Sequence, residues 1–173
     1  MNQIITVVPN ISEGRDAAFV EHLQAVLSAV PGLLVLDVAM DQARNRTTLS
    51  LTGSKEAIFE GGFKVYEETL KHVDMRKHEG AYPRIGAVDA FPFVAVKNAP
   101  LETVVTWCRE FAQIIGERFN VPVYLTGEAA RTPQRRDIEI IRQGEYEGFS
   151  EKMKDPTWAP DFGPSFFPED SGA

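Results

Sequence analysis

The segment 76–89 carries the densest set of reactive side chains in the sequence. It holds an imidazole at His78, a phenol at Tyr82 and the pair Pro83-Arg84, and two glycines punctuate it between two apolar stretches. Charged loops with such punctuation are where rigid scaffolds commonly mount catalytic and binding groups. The alternative is a solvated connector built from ordinary turn residues, and composition alone does not separate the two.

Two side chains of this segment are candidates for proton transfer. His78 adjoins Glu79, whose carboxylate would raise the imidazole pKa, and imidazoles titrate near neutral pH. Tyr82 offers a hydrogen-bond donor, but its ordinary pKa of about 10 makes a phenol a poor base at pH 7. His22 and His72 fall within predicted helices, where surface positions are expected.

A metal site is not predicted. The single cysteine, Cys108, lies on the apolar stripe of a predicted helix, and three scattered histidines do not supply a zinc ligand set. The sequence also has no glycine-rich phosphate loop with its lysine and no nucleophile elbow.

Three further polar clusters stand at the ends of apolar stretches, at 9–15, 41–47 and 127–132. Each has an ordinary interpretation as a capped turn, in which side chains such as Asn10 and Asp41 accept free backbone N–H groups. If the predicted strands pair in one sheet, several of these loops converge at its edges.

The totals describe one globular domain. The 173 residues are 43% hydrophobic and 25% charged with a formal net charge of −7, and a chain of this length buries a substantial core. The negative charge argues against a nucleic-acid surface. No apolar run reaches the roughly 18 residues of a membrane span, the first residues lack a signal-peptide pattern, and a lone cysteine suits a reducing cytoplasm.

Hydrophobic periodicity predicts an α+β fold. Strands are expected over 4–8, 33–38, 47–52, 90–96 and 121–125, and helices from Asp16, from Ser54, from Pro100 and over 138–142. The order is β-α-β-β-α-β followed by α-β, and its first six elements are those of a ferredoxin-like sheet. We therefore predict a ferredoxin-like mixed sheet with helices packed on it, in which Pro92 marks an edge or a bulge.

The residues 156–173 form an aromatic and proline-rich tail without any period. The tail is too apolar for simple disorder. We expect it to wrap over its own sheet, another chain or a bound ligand.

Five motifs follow one another through the whole chain. They are Val8-Pro9-Asn10-Ile11-Ser12-Glu13-Gly14, Asn45-Arg46-Thr47, His78-x-Gly80-x-x-Pro83-Arg84-x-Gly86-Ala87-x-Asp89, Val121-Pro122-Val123-Tyr124-Leu125-x-Gly127-Glu128-Ala129-Ala130-Arg131-Thr132 and Trp158-Ala159-Pro160-Asp161-Phe162-Gly163-Pro164. Together they resemble the amino-terminal subdomain of the glutamate formiminotransferases, as in formiminotransferase-cyclodeaminase. One such motif would be weak evidence, whereas five in order are specific.

The resemblance implies an activity and its ligands. Enzymes of this family transfer a formimino group from N-formimino-L-glutamate to N5 of tetrahydrofolate, in cytoplasmic histidine degradation, with folate held as co-substrate between two related subdomains. The chain would be one such subdomain, 1–173. It would act as a homodimer or with a second subdomain, and without metal, nucleic acid or membrane.

The resemblance also implies roles for particular residues. Substrate contacts would come from Asn10, Asn45, Arg46, Arg84, Gly86, Asp89, Glu128 and Arg131, with the arginines pairing with carboxylates. Folate contacts would come from the family's folate loop, which corresponds to 163–172 and includes Gly163, Pro164, Ser165, Phe166, Phe167 and Gly172.

The chain departs from the family at its general base. The family places a His directly before the Pro-Arg of the central loop, and Tyr82 stands there; Ala39 likewise replaces an acidic residue of the animal enzymes. A neutral imidazole accepts a proton from the attacking nitrogen near pH 7, whereas a phenol ordinarily does not. The catalytic candidates are therefore Tyr82 and, as a substitute base, His78. The alternative function is a folate-binding module with reduced or no catalysis.

Overall fold

The computed structural model of the chain describes residues 3–173. The prediction that the first residues lack a signal-peptide pattern includes residues 1 and 2, which lie outside the described residues. The elements are β1 (Ile4–Val7), β2 (Asn10–Ile11), α1 (Ala17–Ser28), β3 (Leu33–Asp41), β4 (Arg46–Gly53), α2 (Lys55–His72), β5 (Val88–Ala90), β6 (Phe93–Lys97), α3 (Leu101–Phe119), α4 (Ile138–Arg142) and α5 (Glu145–Lys152).

The strands form one sheet around β4. On one side β4 pairs with β3; on the other it pairs with β1 and β2, which in turn pair with β6 and β5. Every strand pairing between residues 3 and 173 is antiparallel. The expectation of a mixed sheet is therefore wrong. The connection through α1 makes β3 run parallel to β1, but the two strands do not pair because β4 lies between them.

Two of the predicted strands are each broken in two beside a proline. The predicted strand 4–8 ends at Val7 and resumes after Pro9 as β2, so Asn10 lies in the sheet rather than in a terminal turn. The predicted strand 90–96 likewise divides into β5 and β6, with Pro92 in the break. Proline has no N–H for the ladder. Beside these breaks the β2–β5 pairing shifts register between Asn10 and Ile11, and the β1–β6 pairing has its shift at the other end of β1, between Ile4 and Ile5. Irregularities of this kind bend a sheet.

The strand predicted over 121–125 does not form. Val123 makes only an isolated bridge with Phe162, Pro122 has no N–H to donate, and the Leu125 N–H is used by the Asp161 carboxylate at 2.8 Å. The segment is held by the tail instead of by the sheet.

The helices α1, α2 and α3 cover one face of the sheet. Alternate strand residues point into this core, among them Ile5, Val7, Leu49 and Leu51, and meet helix residues such as Leu23, Ile58, Val65 and Phe111. Asp16 caps α1 by accepting the Phe19 N–H at 3.0 Å, as the sequence predicts.

The opposite face of the sheet is uncovered. Leu34, Leu36, Val94 and Val96 on its outer strands are exposed. One row of paired residues crosses four neighbouring strands, β3, β4, β1 and β6. It consists of Leu34, Thr52, Thr6 and Val94. Hydroxyl side chains thus occupy the middle of the face, and aliphatic side chains lie at its two sides. Within the described residues, no helix is both long and apolar enough to cross a membrane.

The tail wraps over its own chain. Phe167 packs against Tyr146 and Phe149, with ring centroids 5.4 and 5.7 Å apart. The end of the tail runs antiparallel to the central loop through a bridge between Gly172 and Gly86 and a bond from the Ala87 N–H to the Ser171 carbonyl at 2.7 Å. The tail therefore covers α5 and the central loop, not the open sheet face.

We predict that Gly163→Ala loosens the tail. Gly163 has φ +82°, and a Cβ there would lie 2.0 Å from the Val121 carbonyl oxygen. The free energy of unfolding, measured in urea, should fall by about 1–3 kcal/mol or more. The matched control is Gly148→Ala in α5, where a Cβ meets open space and should leave stability unchanged or raise it by up to about 1 kcal/mol. Equal effects of the two substitutions would contradict the predicted close packing.

Candidate active site

Asp89 is a buried carboxylate shared by two arginines. Arg46, the first residue of β4, and Arg142, the last of α4, each donate to its Oδ2 at 2.6 Å, and the Ile85 N–H donates to Oδ1 at 2.8 Å. The Asp89 side chain has 0% exposure and that of Arg142 5%. A buried charge persists only when it is paired and hydrogen-bonded, so this carboxylate fixes the relative positions of β4, β5 and α4.

Tyr82 lies on these guanidinium groups. Its ring centroid is 4.5 Å from Cζ of Arg46 and 5.3 Å from Cζ of Arg142, both within cation–π range. The Arg142 Nη1 also donates to the Tyr82 hydroxyl oxygen at 3.4 Å. Arg142 Nε, buried at the same place, has no hydrogen-bond partner among residues 3–173. The side chain at position 82 thus sits against a cationic surface.

His78 uses both ring nitrogens inside the protein. Nδ1 accepts the Nε–H of Arg84 at 3.0 Å, and Nε2 donates to the Asn45 carbonyl at 3.0 Å. This arrangement requires a neutral ring with its proton on Nε2. Burial lowers the pKa of His78, the adjacent Arg84 charge lowers it further, and the Asn45 carbonyl opposes both. The expectation that Glu79 raises this pKa is wrong, because the Glu79 side chain is exposed to solvent.

Asn45 joins three of the predicted polar clusters. Its Oδ1 accepts the Gly14 N–H and its Nδ2 donates to the Glu79 carbonyl, both at 2.9 Å. The residue has φ +49°, a left-handed conformation that Asn tolerates better than most residues. Gly14 has no room for a side chain, because a Cβ would lie 2.3 Å from the backbone nitrogen of Arg46. The loops 9–15, 41–47 and 76–89 therefore converge, as expected.

Asn10 completes this grouping from β2. Its Oδ1 accepts the Arg46 Nε–H at 3.1 Å and the Thr48 hydroxyl at 2.7 Å, and its Nδ2 donates to the Val8 carbonyl. Asn10 thereby orients the guanidinium on which Tyr82 lies.

Arg84 is buried and all five of its N–H groups are bonded. Nε and one Nη2 hydrogen go to the ring and carbonyl of His78, each at 3.0 Å. The remaining three go to Glu147 at 2.8 and 2.9 Å and to Glu145 at 3.3 Å. Bonding to Arg84 lowers the pKa of the Glu147 carboxyl. A shallow polar pocket of about 430 Å³ opens beside these groups.

Glu128 and Arg131 lie elsewhere. Glu128 pairs with Arg136 at the surface. Arg131 Nε lies 3.4 Å from Asp161 Oδ1, and the Arg131 guanidinium lies over the Phe162 ring. In the part of the chain that the structure describes, neither shares a hydrogen bond or ion pair with the grouping around Tyr82.

An apolar cavity of about 300 Å³ lies within the chain. Its wall comes from α3, β5 and the 121–126 segment, and Asp89, Glu128 and Gly172 also line it. Cys108 faces this space, and burial raises the pKa of its thiol to about 11, so the thiol is protonated and weakly nucleophilic at neutral pH.

The folate candidates fall in two places. Gly163, Pro164, Ser165 and Phe166 form a surface run in which the Phe166 ring is 57% exposed. Gly172 is buried against Gly86, where a Cβ on Gly86 would lie 2.2 Å from the Ala173 carbonyl oxygen. Phe167 packs internally between these two places.

Sequence reasoning missed Arg142, Glu145 and Glu147. Their partners are 53 to 63 residues away along the chain, and none lies in a recognisable motif. The one available signal is an arginine that directly follows the isoleucine-rich stretch Ile138 to Ile141. Among residues 3–173, no group of three His, Cys, Asp or Glu side chains is arranged to hold a metal ion.

We predict that His78 makes stability depend on pH. Its folded-state pKa lies below the ordinary value of 6.5, so the unfolded chain takes up the proton first as pH falls. The stabilisation is complete above about pH 6.5 and is lost progressively below it. His78→Gln keeps an acceptor for Arg84 and a donor for Asn45 without a titrating ring. The free energy of unfolding of the parent chain should therefore fall more steeply than that of the variant between pH 7 and 5. Parallel curves would contradict a neutral His78.

We predict that Asp89→Asn strongly destabilises the chain. Removing the carboxylate takes from two largely buried guanidinium groups the anion that they share, while Arg142 keeps its pair with the exposed Glu139 carboxylate at 3.1 Å. Breaking comparable buried pairs costs about 3–5 kcal/mol. Chemical denaturation at pH 7 measures this change. Glu151→Gln breaks an exposed pair with Lys154 and should have no measurable effect. A loss below about 1 kcal/mol for Asp89→Asn would show that this carboxylate is not a structural anchor.

The sequence of this chain is similar to known proteins over nearly its whole length. The family model described as "Formiminotransferase domain, N-terminal subdomain" matches residues 4–173. The chain is 41% identical over 173 residues to "Formimidoyltransferase-cyclodeaminase" of Mus musculus, covering 100% of this chain and 32% of that protein. It is 34% identical over 163 residues to "Glutamate formimidoyltransferase" of Streptococcus pyogenes serotype M1, covering 94% of this chain and 54% of that protein.

A third relative gives the same proportions. "Glutamate formimidoyltransferase" of Thermoplasma acidophilum is 36% identical over 164 residues, covering 94% of this chain and 54% of that protein. The chain therefore spans from about a third to about half of the length of these relatives. By the family match and these identities, the chain belongs to the formiminotransferase family, in which it corresponds to the N-terminal subdomain of the formiminotransferase domain.

Proposed function

We propose that this chain is one half of a formiminotransferase that moves the formimino group of N-formimino-L-glutamate to N5 of tetrahydrofolate. The observation that carries the proposal is the placement of Tyr82. It stands at the position where the family has its base, and its ring lies on Arg46 and Arg142. The bonded pair His78 and Arg84 belongs to the same loop. Family membership and the names of the relatives support the same reaction.

The donor would bind at the central loop. N-formimino-L-glutamate carries two carboxylates, and Arg46 and Arg84 are the arginines of this loop region that the resemblance assigns to it; guanidinium groups bind carboxylates in bidentate pairs. Asn10, Asn45 and Asp89 would act by orienting these arginines and the loop, since their side chains are already hydrogen-bonded. Gly86 would contribute a close backbone approach.

Folate would lie between the tail and the cavity. Phe166 presents an exposed ring for stacking on the aminobenzoyl group or the pterin. The apolar cavity has the volume of a small ligand site, and Gly172 of the folate candidates lines it, as does Glu128. Arg131, beside Phe162, would meet the glutamate end of the folate.

The transfer needs a group that takes the proton from the attacking nitrogen. Tyr82 is one candidate because of its position in the loop. His78 is the other, but it would act as a base only after Arg84 releases Nδ1, since both ring nitrogens are occupied.

The second wall of the cleft would come from a second subdomain or from another copy in a homodimer. The relatives of about twice this length favour the former. We also propose that residues 1–173 form one subdomain with a ferredoxin-like arrangement. The strand order and the helix crossovers support this arrangement. The proposed reaction is cytoplasmic, without nucleic acid or metal, and a reduced Cys108 suits that compartment.

We predict that Tyr82→His raises formimino transfer by about a hundredfold or more, because an imidazole at this position supplies general-base catalysis. Turnover of N-formimino-L-glutamate with tetrahydrofolate measures the rate, and calorimetric titration with folinate measures the folate site in parallel. Tyr82→Phe is the matched control: it keeps the ring on the guanidinium groups but removes the hydroxyl.

Three results would separate the alternatives. Unchanged turnover in Tyr82→His with normal folinate binding places the base elsewhere, with His78 the next candidate. A loss of turnover in Tyr82→Phe assigns a catalytic role to the phenol. Absence of folinate binding in all three proteins contradicts the proposed function.

A further inference from the structure

Arg84 divides its hydrogen bonds between an inner and an outer set. The inner bonds go to the ring and carbonyl of His78, and the outer bonds go to Glu145 and Glu147. The Arg84 side chain is only 6% exposed, whereas those of Glu147 and Glu145 are 64% and 47% exposed. The guanidinium is therefore a fixed buried group, and its outer partners lie in water.

The Glu147 carboxylate occupies the outer edge of Arg84 in a bidentate pair. Oε1 accepts from Nη2 at 2.8 Å and Oε2 from Nη1 at 2.9 Å. Such fork-to-fork pairing is equally suited to a carboxylate of a small molecule. Because Glu147 is mostly solvated while paired, its return to water requires little desolvation change. An incoming carboxylate can replace it without moving Arg84.

The space for such an exchange is present. The polar pocket of about 430 Å³ is lined by Glu147, Glu145, Arg84, His78 and the backbone around Gly80. It opens at the outer edge of Arg84, where the two glutamates are bonded.

The backbone that presents the two glutamates is strained. Gly144 has φ +89° and Glu145 has φ +52°, and a non-glycine residue in this region is strained. The Tyr146 N–H then donates to the Arg84 carbonyl at 2.8 Å. Two consecutive left-handed residues therefore turn the start of α5 onto Arg84. Backbone strain of this kind accumulates at ligand clamps and switch regions.

We propose that the outer edge of Arg84 is a carboxylate subsite and that Glu147 is its internal occupant, which an amino-acid dicarboxylate displaces on binding. Glu147 thereby sets the affinity of the subsite by competing for Arg84. The identity of the ligand as N-formimino-L-glutamate rests on the proposed function. The competition itself rests on the Arg84 geometry alone.

The test is a binding titration with two dicarboxylates, glutarate and N-formimino-L-glutamate, on the parent chain and on Glu147→Gln. The amide still bonds to one Nη but gives up the bidentate charge pair. The fraction of Arg84 free for ligand rises, and the Kd of both ligands should fall about three- to tenfold. Glutaramide, which has no carboxylate, should show no change. The Nη–H resonances of Arg84, whose groups make the outer bonds, report occupancy of the site directly.

Two variants control the result. Glu151→Gln makes the same charge change on α5, at an exposed residue paired with Lys154, and should leave both Kd values unaltered. Arg84→Lys combined with Glu147→Gln removes the bidentate fork and should abolish the gain. Equal tightening in Glu151→Gln would overturn the proposal, because the effect would then be one of net charge.

The proposal and the proposed function fail in different ways. Unchanged or weaker glutarate binding in Glu147→Gln, or no binding in either protein, overturns the subsite and leaves formimino transfer intact if turnover is present. Tighter glutarate binding without any formimino transfer supports the subsite and counts against the proposed function.

Discussion

The Asp89 carboxylate is the group on which the rest of the site depends. It has no exposed surface, and its charge is balanced by Arg46 from β4 and Arg142 from α4. An ionised carboxylate in the interior requires all its hydrogen bonds, so the strand, the loop and the helix have to meet at one point. Tyr82 then has only one surface on which to lie. The geometry around position 82 is therefore a consequence of satisfying a buried charge.

A second layer of constraint comes from backbone groups. Asn45 ties the 9–15 and 76–89 loops to its own loop through one side chain and one carbonyl. The His78 ring and the Arg84 guanidinium continue this chain of bonds to the start of α5. The acceptor nitrogen of the His78 ring is therefore free only when Arg84 leaves its present position.

The periodic part of the fold could be predicted from the sequence. The amphipathic stripes of α1, α2 and α3 and the alternation in β4 follow from local spacing, and they match the helices and strand observed. The segment 121–125 could not, because its β-branched composition favours a strand while Pro122 and the Asp161 carboxylate decide otherwise. The break at Pro92 falls where the sequence predicts an edge or a bulge, because proline lacks the N–H of the ladder. The second strand after Pro9 could not be predicted, since it depends on β4 and β5 lying on either side of β2.

The site was predictable in its centre and unpredictable at its margin. The motif residues Asn45 and Arg84 bond to His78, and Arg46 bonds to Asp89 and underlies Tyr82. Their roles in binding stay predictions. Arg142 and Glu147 carry no local pattern, since their roles arise from contacts more than 50 residues away in the sequence. Charges of this kind are found only once the chain is folded.

The uncovered sheet face has a consequence for how this chain behaves in isolation. Aliphatic side chains on β3 and β6 flank a row of hydroxyl groups on β1 and β4. Such a surface adheres to apolar material along its two sides while its middle retains water. The isolated chain would therefore associate more as its concentration rises. A layer packed over this face would enclose water along the row of hydroxyl groups.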